Sequence, residues 1–370
     1  MEHIAIEECC DILDSRRIPI TASDRMSGPY PYYGANGVQD YVADYIFDDE
    51  LVLLAEDGGN FGSKTRPIAY RVSGKCWVNN HAHVLKPMAS MDVDYLCYSL
   101  MFYDTGELLN GATRQKLTQT AMRKMLIPQR SLQEQKRIVC ELSKVQSIIS
   151  ARQQQLQKLD ELVKARFIEL FGTIHDNRFG FSVVTLQDVS APIKDGTHQT
   201  PTYTTDVENG YKFLSSKDVT AGKVDWSHLK YIPEELHREL YARISPRKGD
   251  ILLAKNGTTG IAAIVDRDEV FDIYVSLALI RPLGVDPTYL WAAINAAETK
   301  QQFDASLKGI GVPNLHLGEI KKARIILPPM ELQEQFAAFV EQTDKSKAAV
   351  QKALDEAQML FDSLMQKYFG

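Results

Sequence analysis

The sequence predicts an α+β chain: two mixed α/β domains separated by two long helices that pair as an antiparallel coiled coil, with an internal pseudo-two-fold repeat. Three observations lead there. The chain repeats itself at about 200 residues, each copy ends in a long stretch of 3.5-residue apolar spacing, and short β-rich runs precede each stretch. The predicted segments are 1–130, 131–172, 173–330 and 331–370.

The repeat is read by sliding the sequence on itself. LIPQRSLQEQ (126–135) matches ILPPMELQEQ (326–335), and the stretches that follow both end in Phe-Gly, at 171–172 and 369–370. Upstream, LVLLAEDG (51–58) matches DILLAKNG (250–257), HVLKP (83–87) matches ALIRP (278–282), and VDYL (93–96) parallels PTYL (287–290). The two ends give offsets of 200 and 198, which predicts that one copy has lost two residues. Residues 15–47 and 195–247 share almost nothing, so a common scaffold displays diverged parts.

The helices come next. Ile138, Leu142, Val145, Ile149, Arg152, Leu156, Leu159, Val163, Arg166 and Leu170 step by fours and threes. Phe336, Val340, Thr343, Lys347, Val350, Leu354, Ala357, Phe361, Leu364 and Tyr368 do the same. Such a repeat held over more than four heptads is a coiled-coil seam. Neither Gly nor Pro interrupts 131–171, so each helix is expected to be a rod of about 60 Å at ~1.5 Å per residue. Arg152, Arg166 and Lys347 are polar at seam positions, where they set register and partner at some cost in stability. Leu132, Val139, Ile148, Leu162 and Phe167 lie off the seam, as core contacts or as a docking stripe.

The heads carry β-rich runs such as LVLLA, PIAYRV, DILLA and YVSLALIR between Gly, Asp and Asn turns, each head with a following helix near 93–103 or 286–305. Their irregular stretches, RMSGPYPYYGANGVQDY (25–41) and KDGTHQTPTY (194–203), offer hydrogen bonds and flat faces of the kind that meet base edges and sugars. Two heads on a two-fold scaffold also match the symmetry of a DNA duplex. The candidate contacts in the first head are Tyr32, Tyr33, Asn36, Lys64, Arg66, Arg114 and Lys116. In the second they are Lys194, Thr197, His198, Lys217, Lys255, Asn256 and Lys308.

Other chemistries find little support. GNFGSKT (59–65) places Ser63 between the glycine and lysine that a phosphate loop keeps adjacent. His81 and His83 would share one strand face, but no third ligand is near in sequence, and no metal site is expected. The sequence holds no GxSxG, HExxH or dinucleotide GxGxxG, nor the Asn/Asp-Pro-Pro-aromatic motif that holds a flipped base for methyl transfer. Apolar and charged fractions of 44% and 24% are those of a globular protein, and no apolar run reaches membrane-spanning length. Five cysteines without CxxC spacing fit reduced thiols and a cytoplasmic location. The net charge of −6 does not advertise nucleic-acid binding, so any such surface must be local.

Taken with PYYGANGVQDY (31–41), LLAEDG, LLAKNG and the two LQEQ helix starts, this doubled order resembles the specificity subunit of type I restriction–modification systems. The resemblance covers essentially the whole chain. It implies two target-recognition domains, each reading half of a split asymmetric DNA site, with the helices setting the gap between the halves. It also implies two methyltransferase subunits that carry S-adenosylmethionine, a motor-nuclease subunit for cleavage, and no cofactor or catalysis in this chain. One departure is that the first head begins within a few residues of Met1, so the second helix is expected to close the structure alone. The competing reading of the same features is a coiled-coil adaptor with two protein-binding heads. A third is an enzyme with an unfamiliar site.

Overall fold

The apolar spacing becomes two helices, Leu132–Phe171 and Met330–Phe369, of 40 residues each. The computed structural model describes residues 2–111, 115–219, 222–307 and 313–370. It forms two units, 1–153 with 352–370 and 154–351, so each unit takes half of each helix. All ten seam positions of each helix are buried or half-buried. Among the aliphatic and aromatic seam residues, Leu142, Val145, Ile149, Val163, Val350 and Phe361 are buried, and Leu156, Leu159, Leu354 and Leu364 half-buried.

In the first unit the Tyr368 hydroxyl donates to Glu141 at 2.6 Å, and Ala357, Phe361 and Tyr368 join Ile138, Leu142, Val145 and Ile149 in one core. In the second unit the antiparallel direction follows from Lys347 meeting Asp160 at 2.6 Å, while Phe336 meets Phe167 at 5.5 Å between ring centroids. The polar seam residues found partners: Arg166 pairs with Glu169 at 2.9 Å and lies 5.8 Å from the Phe339 ring. Of the off-seam residues, Val139 and Phe167 pack against the unit cores. Leu132, Ile148 and Leu162 are exposed.

The first head is a six-stranded sheet in the order Cys10–Ile12, Ala82–Pro87, Phe47–Ala55, Ala69–Val78, Ser27–Gly34, Gly37–Val42. The second head repeats this order with one break. Lys194–Asp195, Leu277–Ile280, Ile251–Ala254 and Ile261–Ile264 form one sheet, and Phe271–Ile273, Tyr211–Leu214 and Lys230–Ile232 a second. The ten-residue strand Ala69–Val78 thus corresponds to two short strands separated by the charged run Asp266–Glu269. A helix, Glu234–Arg243, packs beside the second sheet.

One hydrogen-bonded frame recurs in both units. Gln135, 1% exposed, accepts the Asp92 N–H at 2.7 Å and donates to Arg130 O at 2.9 Å. Gln333, also 1% exposed, accepts the Asp286 N–H at 2.9 Å and donates to Pro328 O at 2.8 Å. Asp92 and Asp286 cap the helices Val93–Met101 and Pro287–Asn295 by accepting two backbone N–H groups each. The hydroxyls of Tyr95 and Tyr289 donate to Pro128 O and Ile326 O. This frame sets the helix offset at 198 from start to end. The expected loss of two residues is therefore corrected: the LQEQ letters coincide at 200, but Gln135 does the work of Gln333 and not of Gln335.

Candidate nucleic-acid interface

The same register superimposes the loops that end the central strands. Phe47–Ala55 runs into Glu56, Asp57 and Gly58, and Ile251–Ala254 into Lys255, Asn256 and Gly257. Gly58 and Gly257 have φ of 63° and 77°, a left-handed turn that glycine enters at least cost. Each turn meets a second segment through one bridge, Asp57 with Lys116 and Asn256 with Asn314. Beside it Leu117 N–H donates to Glu56 O, and Leu315 N–H to Lys255 O, both at 2.7 Å. The strand pairings likewise place Asp14 where the second unit has Asp195, and His83 where it has Ala278. Arg17 then corresponds to His198.

In the first unit these positions form a closed ion network. His83 is fully buried; its Nδ1 lies 2.6 Å from Asp14 and its Nε2 2.9 Å from Leu117 O. A carbonyl only accepts, and the Asp14 carboxylate also takes the Val84 N–H and the Gln119 amide at 2.9 Å each, so both ring nitrogens face acceptors. Arg17 donates to Glu56 at 2.6 Å, and Lys116 reaches the other Glu56 oxygen at 2.9 Å. Burial alone would raise the Asp14 carboxyl, but the hydrogen bond and charge of His83, with the Val84 and Gln119 bonds, lower it. Glu56 is lowered in the same way, Arg17 and Lys116 outweighing burial. Asp14, Glu56 and His83 stand within 4.8 Å of one another, as metal ligands would. Their atoms are already engaged with each other and with cationic side chains, which is the chemistry of an internal ion network.

The second unit keeps the backbone and changes the chemistry. Lys255 replaces Glu56 and pairs with Asp195 at 3.3 Å, while Ala278 leaves no imidazole. The result is a cavity of about 560 Å³ lined by Asp195, His198, Lys255, Asn256, Asn314 and His316, among others.

The contact residues expected from the sequence fall unevenly on this ground. Tyr32 is 1% exposed, its hydroxyl bonded to the Ile20 backbone and its ring under Arg25 at 4.2 Å, so it is a core residue and is removed from the surface. Tyr33 is half-buried, 5.8 Å from the Tyr70 ring. Asn36 is exposed and ties its hairpin to Gly58 O at 2.9 Å. Lys64 and Arg66 are exposed on a loop closed by Ser63, whose hydroxyl accepts the N–H of Thr65 and of Arg66. Lys116 is exposed but shares Glu56.

Lys194 is exposed and donates to Arg243 O at 3.2 Å. Thr197 is 8% exposed. Lys217 is exposed on a separate turn. His198, Lys255 and Asn256 come together at the cavity, although Lys255 is only 5% exposed and does not project outward as its loop suggested. Arg114 and Lys308 lie outside the described residues. Asp14, Arg17, Asp195, Asn314 and His316 carry no signal in the sequence analysis, and His83 entered it only as a metal-ligand candidate. The charge reversal two letters after LL, Glu56 against Lys255, hides in the aligned LLAEDG and LLAKNG and would have pointed to them.

A family model described as type I restriction modification DNA specificity domain matches residues 1–161 and 180–357. A putative type I restriction enzyme specificity subunit of Haemophilus influenzae is 27% identical, over 94% of this chain and 89% of its own length. The MjaVIII specificity subunit of Methanocaldococcus jannaschii is 24% identical, over 95% and 89%. The solved S subunit of a type I restriction–modification system from M. genitalium matches all of this chain and 96% of its own at a TM-score of 0.59 and 14% identity, a likeness of fold.

Proposed function

We propose, from the premise that this chain belongs to the type I restriction–modification DNA specificity family, that its two heads read the two halves of a split, asymmetric DNA site. It is the non-catalytic subunit that chooses the sequence. The observation that carries the division of labour is the repeated frame with unlike loops: Gln135 and Gln333 make the same bonds, while Glu56 and Lys255 reverse charge. Phosphate contacts position such a protein and base-edge contacts specify, so the two loop sets would read unrelated sequences from one scaffold.

The contact surface then comprises Tyr33, Asn36, Lys64, Arg66 and Lys116 in the first unit, with Arg114. In the second it comprises Lys194, Thr197, His198, Lys217, Lys255 and Asn256, with Lys308. Residues 1–130 and 173–330 serve as the recognition domains, and 131–172 and 331–370 as the helices that space them. Exposed apolar residues on the helices, Leu132, Ile148, Met359 and Leu360 in the first unit and Leu162 and Ile168 in the second, suit the docking of two methyltransferase subunits. Those subunits would carry S-adenosylmethionine, and a motor-nuclease subunit would join them, in the cytoplasm. Among the described residues no helix is long and apolar enough to cross a membrane. A protein-binding adaptor is not favoured.

The test is methylome sequencing of a host that expresses the chain with its methyltransferase, before and after residues 1–125 are replaced by those of a homologue. One half of a bipartite methylated site should change and the other persist. Methylation of a single continuous motif, or a change in both halves by a folded chimera, would refute the reading.

A further inference from the structure

The cavity of the second unit has features that its counterpart lacks. Its 560 Å³ lies within the range of about 300–1,000 Å³ usual for small-ligand sites. Asn256 and Asn314, joined by a backbone bridge, each bury a side-chain Oδ1 that has no hydrogen-bond partner among the described residues. Buried acceptors of this kind are rare, and each calls for an explanation. Lys255 lies deep in the wall beside Asp195. The imidazoles of His198 and His316 stand at the cavity with exposed residue surfaces. In the first unit Arg17, Glu56 and Lys116 occupy the corresponding ground and bond to one another.

We propose that this cavity binds a nucleobase bearing an exocyclic amino group. The two carboxamide oxygens require N–H donors, which such an amino group supplies. Lys255 and the imidazoles can donate to ring nitrogens, and imidazole rings offer flat faces for stacking. A lone phosphate or carboxylate would satisfy Lys255 and leave both oxygens unpaired. Thymine has no amino group and one ring N–H to share between them. The base has two possible sources, a nucleotide swung out of bound DNA or a free nucleotide. The first source rests on the DNA-reading function proposed above; the second does not. In the first unit the described side chains at these positions are engaged with one another instead.

The probe is 2-aminopurine, which fluoresces strongly when unstacked. It is supplied to the full chain as its free deoxynucleoside monophosphate. In a second arm it is placed at each position of the half-site read by the second unit, in a duplex bound by the chain with its methyltransferase. The expected result is a rise in polarisation of the free probe, or brightening of the duplex probe at one position. Gly318 lines the cavity, and a Cβ built there meets no atom within 4 Å, so Gly318→Phe fills the space without displacing backbone. It should weaken the signal at least tenfold, and Asn314→Leu should do the same without filling the cavity. Free-probe binding assigns a nucleotide site, and duplex brightening assigns base extrusion. If neither signal arises, or both variants fold and leave it unchanged, the cavity proposal is overturned. Duplex anisotropy in the same titration separates the two failures: retained DNA affinity leaves the DNA-reading function standing, and its loss removes that as well.

Discussion

At corresponding places on one backbone, the first unit has closed its side chains into an ion network and the second has opened a cavity. In the first, two carboxylates are compensated by His83, Arg17 and Lys116. In the second, one carboxylate is met by Lys255 at 3.3 Å and by the His198 imidazole at 3.2 Å, and the neighbouring positions hold amides. Both solutions satisfy the requirement that buried charge be paired, so the frame places no demand on which solution a copy adopts. That freedom is what a duplicated reader needs: the scaffold is held by Gln135 and Gln333, and the loops beside it can vary in charge without unfolding the sheet.

The sharpest way to break this comparison is to remove a side-chain partner of the buried carboxylate in each unit. His83→Ala leaves the buried Asp14 short of its partner, and breaking a buried pair from one side costs about 3–5 kcal/mol. Lys255→Ala leaves Asp195 beside an open cavity where water can reach it, and about 1–2 kcal/mol is expected. Hydrogen exchange resolved by unit reads both, because two units need not unfold together. Equal losses would mean that the network is no more closed than the cavity.

The frame should behave in the opposite way. Gln135→Ala and Gln333→Ala each strand a backbone N–H and a carbonyl next to a helix cap, at a cost of about 2–3 kcal/mol. The two costs should agree within about 0.5 kcal/mol, the usual error of treating distant sites as independent. A large difference in the exchange of the helices Val93–Met101 and Pro287–Asn295 would show that the frame has diverged with the loops.

How far the sequence could be read follows the same divide. Period-3.5 spacing located every seam position, because a helix turns sequence spacing directly into a face. The LQEQ match was true in letters and slipped by two residues in space, since two glutamines flank each Glu and only hydrogen bonding tells which one caps the turn. Tyr32 looked like a loop aromatic because Gly and Pro surround it, yet it lies in the strand Ser27–Gly34 with its ring inward. The Asp14–His83 pair joins residues 69 positions apart, and no local pattern connects them. The cavity was invisible for the same reason, as Asp195, Lys255 and Asn314 meet only when three strands and a loop are assembled.

The smallest expected effect separates the units by acid. Asp14 and Glu56 have carboxyl pKa values lowered in the folded chain, so their contribution to stability is complete above the ordinary carboxylate values, about 3.9 and 4.3, and is lost as pH falls from there through the folded values. Asp272 in the second unit moves the other way. Burial raises its pKa despite His237 at 2.7 Å, so its ionised form is a cost at neutral pH, and that cost is relieved as the group protonates. Lowering the pH from 7 to about 3.5 enters only the upper part of the first window, which keeps the change small. After correction for intrinsic exchange, the Val84 amide, which donates to Asp14, should lose protection, while the strand Phe271–Ile273 around Asp272 holds or gains it. Parallel loss in both places would mean that acid acts through net charge on the whole chain, and the contrast between the two units would not extend to their titration.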